Sequence, residues 1–237
     1  MKKNTRKNLR QLLTLCLCGF FLLLATGCQA QEADISLPAG EELEALESAV
    51  GYELDTLLDT LGLSEEDLTK PDLTDLVPGL RDTNRYVELD SIRLRERIQI
   101  ISDTTGTEYY GFGAYYFYYE VLAPNKDLLN EFPDNAKALY NSLKTIYGAP
   151  VGPSAENPGE AVLEEKDWED FVAGDNPSVS DNWELGNYTD VGFSVTMSED
   201  LLRLELSYTW PELYQTRMVN QGYLAREDAP LYLEGVE

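Results

Sequence analysis

The chain has 237 residues, 43% of them hydrophobic and 26% charged, with 18 basic against 43 acidic side chains and no histidine. That length and apolar content suit one globular domain, or two small ones, with enough core to fold without staples. The lack of histidine excludes Ser-His-Asp and Cys-His catalysis and His-ligated metal centres, and a net charge of −25 disfavours nucleic acid and anionic lipid headgroups as partners.

In chain order, Lys2, Lys3, Arg6, Lys7 and Arg10 form a basic start, and 12–25 is an uncharged apolar run too short to cross a membrane as a helix. It ends Ala25-Thr26-Gly27-Cys28, small residues leading into a cysteine. These positions resemble the lipobox of bacterial lipoproteins, with Ala25 standing where that family usually has Leu. The resemblance covers 1–28. It implies cleavage after Gly27, a diacylglyceryl group on the Cys28 sulfur, no other cofactor, and residence on the outer face of the cytoplasmic membrane. An ordinary secretory leader followed by an incidental cysteine is the alternative. Cys16 and Cys18 fall in the leader, so Cys28 is the one cysteine left after cleavage; lipidation accounts for it, and no intrachain disulfide can form. Two acyl chains on one residue hold a protein stably to a bilayer. Beyond position 27 the chain has 13 basic and 43 acidic residues, a net charge of −30 that favours a basic partner or divalent cations.

Residues 28–40 are polar and small and read as a lipidated tether. From 41 the positions Leu43, Leu46, Val50, Leu54, Leu57, Leu58 and Leu61 recur at helical spacing, and Gly62 stops the run. Ser64 with Asp67 three residues on predicts a capped short helix. Pro71, Pro78 and Gly79 predict an irregular stretch over 70–84. The segment 87–102 then reads as a strand, with Ile92, Leu94, Ile98 and Ile100 on one side, interrupted by Glu96, and Arg93, Arg95, Arg97 and Gln99 on the other. A turn at 103–106 returns the chain into TEYYGFGAYYFYYEVL at 107–122. Aromatic residues favour a pleated, half-buried backbone, so this stretch is predicted as the central strand of the sheet. Tyr109, Tyr115, Phe117, Tyr119 and Val121 face one way, and Tyr110, Phe112, Tyr116 and Tyr118 the other.

A helix is expected from 125, broken at Pro133 and resumed over 134–147 with Ala136, Leu139, Tyr140, Leu143, Ile146 and Tyr147 as its buried stripe; Gly148 and Pro150 stop it. A short helix over 160–172 buries Val162, Leu163 and Trp168, and 173–187 reads as loop. Val191, Phe193, Val195 and Met197, then Leu202, Leu204, Leu206 and Tyr208, alternate cleanly as a second hairpin. A helix or edge segment follows over 212–223, and 226–237 reads as a loose tail.

The expected fold is α+β: an antiparallel sheet built from two hairpins, helices packed on one face, within a globular domain 41–225. Halves at 41–123 and 124–210 fit a tandem α-β-β repeat. That layout is similar, in element order alone, to small secreted modules of the β-lactamase-inhibitor-protein type.

The sequence has no GxxxxGK[ST] segment, and Gly111-Phe112-Gly113 sits inside the aromatic strand as a packing feature. What remains is carboxylate chemistry, a Ser/Lys pair, or oxygen-ligated metals. Glu96 and Glu120 are embedded in apolar strand patterns, where burial raises a carboxyl pKa. Arg93, Arg95 and Arg97 place guanidinium groups about 6–7 Å apart on one side of a strand. This row is the candidate anion-binding site, unless acids of the same chain neutralise it. The stretch 175–184, DNPSVSDNWE, is rich in oxygen ligands for Ca²⁺ but lacks the EF-hand order. Trp168, Trp183 and Trp210 could stack on a sugar. No residue is assigned as catalytic or as a metal ligand. The reading is a membrane-anchored extracytoplasmic lipoprotein serving as a noncatalytic binding module, with a protein, anionic or carbohydrate ligand. A carboxylate-based glycan hydrolase and a carbohydrate- or Ca²⁺-binding surface protein are the alternatives.

Overall fold

The computed structural model describes residues 32–51, 54–70, 79–102, 109–152, 162–185 and 189–220. The leader with Gly27, Cys28, the 103–106 turn, the tail 226–237 and the side chains of Tyr109, Tyr110 and Phe112 lie outside the described residues. A two-residue strand, β1 (Ala33–Asp34), leads into α1 (Glu41–Ala49), α2 (Leu54–Leu61) and a 3₁₀ turn at Glu65–Asp67. Strands β2 (Leu80–Leu89), β3 (Ile92–Ser102) and β4 (Tyr109–Leu122) follow, then α3 (Lys126–Tyr147) and α4 (Glu165–Ala173). The chain closes with β5 (Ser178–Glu184), β6 (Asp190–Met197), β7 (Leu201–Thr209) and α5 (Pro211–Asn220).

The strands form one sheet in the order β1-β2-β3-β4-β7-β6-β5. Among them β1 runs parallel to its neighbour and the other pairings are antiparallel. The α+β class is as expected, but the sheet is larger than two hairpins. Each half is a pair of helices followed by a three-stranded meander, and the last strands of the two meanders, β4 and β7, pair at the centre with Phe117 opposite Leu206. The aromatic strand is therefore central. No described helix is long and apolar enough to cross a membrane.

The extra strands come from local chemistry that the apolar pattern hides. Asp90 and Ser91 take φ of 50° and 65°, the left-handed pair that a two-residue hairpin turn requires, so the segment 87–102 is two strands rather than one. The paired β2 strand extends back to Leu80, into the stretch expected to be irregular. Strand β5 lies in the expected 173–187 loop because Val179, Asp181 and Trp183 alternate inward, with an aspartate where an apolar residue would have signalled a strand. Residues 33–40 belong to the folded body, not to a tether. The Ile35 amide donates to the Tyr86 carbonyl at 2.8 Å, Leu37 is buried, and the Tyr147 hydroxyl donates to the Pro38 carbonyl at 3.0 Å.

The expected helix over 41–61 divides at Gly51, whose φ is 72°. Arg217 caps the first half by donating from Nη1 to the Glu47 and Val50 carbonyls, at 2.7 and 2.6 Å. Helix α3 runs unbroken through the buried Pro133. The ring forfeits one backbone bond, which the burial of Phe132, Ala136, Leu139, Tyr140 and Leu143 offsets. Ile146 and Val162, both expected inside, are 43% and 37% exposed.

Helices α1 to α4 cover one sheet face. Their Leu46, Leu57, Leu139 and Trp168 share a core with Leu94, Ile98, Phe117, Phe193, Leu204 and Leu206 from the strands. The opposite face carries the arginine row, Tyr116, Tyr118 and Glu120.

Candidate functional site

The site is built where β2 and β3 fall out of step. Asp82 pairs with Arg97 and Tyr86 with Arg95, so Thr83, Asn84 and Arg85 together face Glu96. Such a bulge turns side chains out of the strict alternation. Here it directs Thr83 and Arg85 toward Glu96, whose position in β3 aims it at the helix-covered face. Glu96 is fully buried. Its carboxylate accepts from Arg85 Nε at 2.8 Å, from Arg85 Nη2, and from the Thr83 and Tyr115 hydroxyls. Arg85 Nη1 donates to the Leu61 carbonyl at the end of α2, at 2.6 Å, and Nη2 lies 3.3 Å from the Tyr115 oxygen.

These bonds fix the electrostatics. Burial works against the charged Arg85 guanidinium, and the Glu96 carboxylate more than compensates, holding its pKa above the usual arginine value. Burial, then the adjacent Glu96 charge, pushes the Tyr115 phenol well above its ordinary value, so it remains a neutral donor. The cluster is not sealed. Arg85, with 17% of its side chain exposed, and Tyr115 line a cleft of about 310 Å³ between the 35–38 strap, α1 and the end of α2. Ile35, Pro38, Leu46 and Leu61 supply apolar wall, and Glu42 and Thr60 lie toward solvent. An apolar cleft with a few fixed polar groups at its base suits recognition of a small molecule.

The arginine row lies on the other face, and the three side chains share that face as the spacing predicts. Arg97 Nε donates to Asp82 Oδ1 at 2.7 Å, Arg95 Nη1 is 3.3 Å from Asp82 Oδ2, and Arg93 Nη2 is 3.6 Å from Asp34 Oδ1. The Arg97 guanidinium sits 3.7 Å over the Tyr118 ring and that of Arg93 sits 4.1 Å over Tyr86, while the Tyr118 hydroxyl donates to Asp82 Oδ2 at 2.8 Å. Carboxylates of the chain itself take up the charge that would draw an anion, so the row is an internal ladder and not an open clamp. The neutralising Asp82 arrives on the part of β2 that sequence reasoning left irregular.

The other candidates fall apart on geometry. Glu120 is bonded to Arg203 on the arginine face while Glu96 lies on the helix face, so the two carboxylates cannot flank one substrate. Trp168, Trp183 and Trp210 are all buried, which weakens the alternative of a sugar-stacking platform built on them. In the 175–184 stretch Asp181 turns inward and accepts from the Tyr140 hydroxyl at 2.6 Å and the Leu163 amide at 3.1 Å. Among the described residues no group of three acids, cysteines or histidines is placed to hold a metal ion.

Sequence reasoning missed Arg85 and Tyr115 as a pair. The available signal was Glu96, an acid on the apolar side of its strand, which demanded a buried partner. Comparison of the chain with protein-family models, with curated proteins and with solved structures finds no match.

Proposed function

We propose that this protein is a lipid-anchored extracytoplasmic binding module, held to the membrane through Cys28 and taking a small ligand in the Arg85 cleft without transforming it. The observation that carries the reading is Arg85 itself: a guanidinium fixed by Glu96, Tyr115 and the Leu61 carbonyl that still lines an open cleft. A fixed donor at the base of an apolar cleft costs little ordering on binding. Catalysis by an acid pair has no support in the placement of Glu96 and Glu120. The anchor rests on the 25–28 stretch. Because β1 begins at Ala33, residues 28–32 alone would separate lipid from folded body, a reach of at most about 17 Å.

Two measurements test the two halves of the proposal. Mass spectrometry of the native protein should find an N-terminal diacylglyceryl-cysteine, and Cys28→Ala should leave the membrane fraction; an unmodified thiol would refute the anchor. For the cleft, small molecules co-extracted with the native protein should be identified by mass spectrometry. Ala45→Trp, which fills the cleft from α1, should lose them while keeping its circular dichroism. Retention by the filled variant would sink the binding reading.

A further inference from the structure

The bonds at the base of the Arg85 cleft decide what can enter it. A guanidinium carries five N–H groups, and an ionised carboxylate offers about four acceptor positions. Arg85 commits Nε and one N–H of Nη2 to Glu96, turns the other N–H of Nη2 toward the Tyr115 oxygen and gives one from Nη1 to the Leu61 carbonyl. Glu96 in turn accepts twice from Arg85 and once each from the Thr83 and Tyr115 hydroxyls, which occupies both of its oxygens. The Tyr115 hydroxyl donates to Glu96 and receives Arg85 on its oxygen, so it too is committed. The second N–H of Arg85 Nη1 remains, with no acceptor among the described residues.

That remainder sorts ligands by charge. An arginine lining a cleft ordinarily meets a carboxylate or a phosphate. Here the guanidinium and Glu96 together carry no net charge, Glu42 adds a negative charge toward solvent, and no second basic residue lines the cleft. An anion would give up its hydration for a single hydrogen bond without a balancing charge. A cation would lie against Arg85. A ligand's own N–H or O–H would find no open acceptor on Glu96. An uncharged oxygen acceptor is the polar group that the base can satisfy, and Ile35, Pro38 and Leu46 suit the hydrocarbon that carries it. The volume of about 310 Å³ lies at the lower end for ligand pockets, so the molecule is small. We propose that the cleft takes a small uncharged molecule with an apolar body and a carbonyl-type oxygen, such as a ketone, ester or tertiary amide, which accepts from Arg85 Nη1. The proposal rests on the reading of this cleft as a binding site and adds the class of its ligand.

The test is a chemical-shift titration of the full mature lipoprotein in neutral detergent, followed at the Ser36, Ala45 and Thr60 amides. Three probes share one ring: N,N-dimethylcyclohexanecarboxamide, cyclohexanecarboxylate and cyclohexylmethylammonium. The carboxamide should bind at least about 10-fold more tightly than either ion. Arg85→Met with Glu96→Leu removes the donor without altering the net charge. It should weaken the carboxamide about 5–10-fold while keeping the circular dichroism. If that double variant loses its dichroism, the ranking of the three probes on the unaltered chain decides alone. Equal or tighter binding of the carboxylate would overturn the ligand class and leave the cleft a binding site, as would a carboxamide that binds the folded double variant undiminished. Shifts from none of the three would also overturn the class, and the cleft itself then stands or falls with the co-extracted molecules and Ala45→Trp.

Discussion

Arg85 meets Glu96 where three residues of β2 face one residue of β3, and this mismatch lets a charged side chain of an outer strand reach the helix-covered face. Removing one member of a buried, hydrogen-bonded ion pair strands the other, at a cost of about 3–5 kcal/mol, whereas replacing both by apolar groups is often close to neutral. Glu96→Leu should therefore lower the unfolding free energy by roughly that amount, and Arg85→Met with Glu96→Leu should recover most of it. Urea unfolding curves on the single and double variants decide. A double variant as unstable as the single would mean that the lost pair and its hydrogen bonds, rather than a stranded Arg85 charge, carry the cost.

A backbone approach at the other end of the same hairpin makes a second, sharper expectation. Gly79 has φ of 84° and accepts from the Ile100 amide at 2.9 Å, and a Cβ added there would lie 1.7 Å from the Ile100 carbonyl oxygen. No side-chain adjustment relieves a clash with backbone. Gly79→Ala should destabilise by more than about 2 kcal/mol, while Gly62→Ala, also at positive φ but in open space, should cost about 1 kcal/mol. Thermal melts of the two variants provide the comparison.

These two positions also mark where sequence reasoning stopped. The hairpin of β6 and β7 was readable because Val191, Phe193, Val195, Leu202, Leu204 and Leu206 bury strictly every second residue. The central place of the aromatic strand was readable from its run of β-favouring rings, and the α1–α2 stripe from apolar residues at helical spacing. What the pattern hid was polar burial: Asp82, Thr83, Arg97 and Asp181 are nearly inaccessible in strands that therefore look like loop or surface. A lone sequence shows which charges sit on one strand but not which acid a bulge or a neighbouring strand brings to them. The arginine row was correctly placed on one face, and its partner Asp82 lay in a segment with no strand signal.

The strap over 33–40 is held at its start by β2, through the pairing of Ala33 and Asp34 and the Ile35 amide, and further along by α3. Tyr147 donates to the Pro38 carbonyl, and its oxygen lies 2.6 Å from that of the buried Tyr208. Tyr147→Phe should cost about 1 kcal/mol of global stability but loosen the strap disproportionately, because β1 contributes just two paired residues. Hydrogen exchange at the Ile35 amide, which donates to Tyr86, should speed up more than exchange at amides of β7. Uniform acceleration throughout the sheet would show that the strap and the core open together.

Alkaline pH probes the tyrosines collectively. An unfolded tyrosine loses its proton near pH 10. In the fold, burial followed by the charge of Glu205 raises Tyr116 to about 12, and burial with the hydrogen bond to Asp82 raises Tyr118 to about 12. Burial likewise holds Tyr147 at about 12, against a lowering by its bond to Tyr208, and pushes Tyr115 and Tyr208 upward too. Below pH 10 both folded and unfolded chains keep these protons, so the phenols leave stability unaffected by pH. Between pH 10 and 12 the unfolded chain releases protons that the fold retains, and stability falls as pH rises. Phenolate absorbance and far-ultraviolet circular dichroism should therefore change together over that window for the buried phenols. If all the phenols ionise near pH 10 with the sheet signal unchanged, Tyr115, Tyr118 and Tyr208 are not enclosed as described.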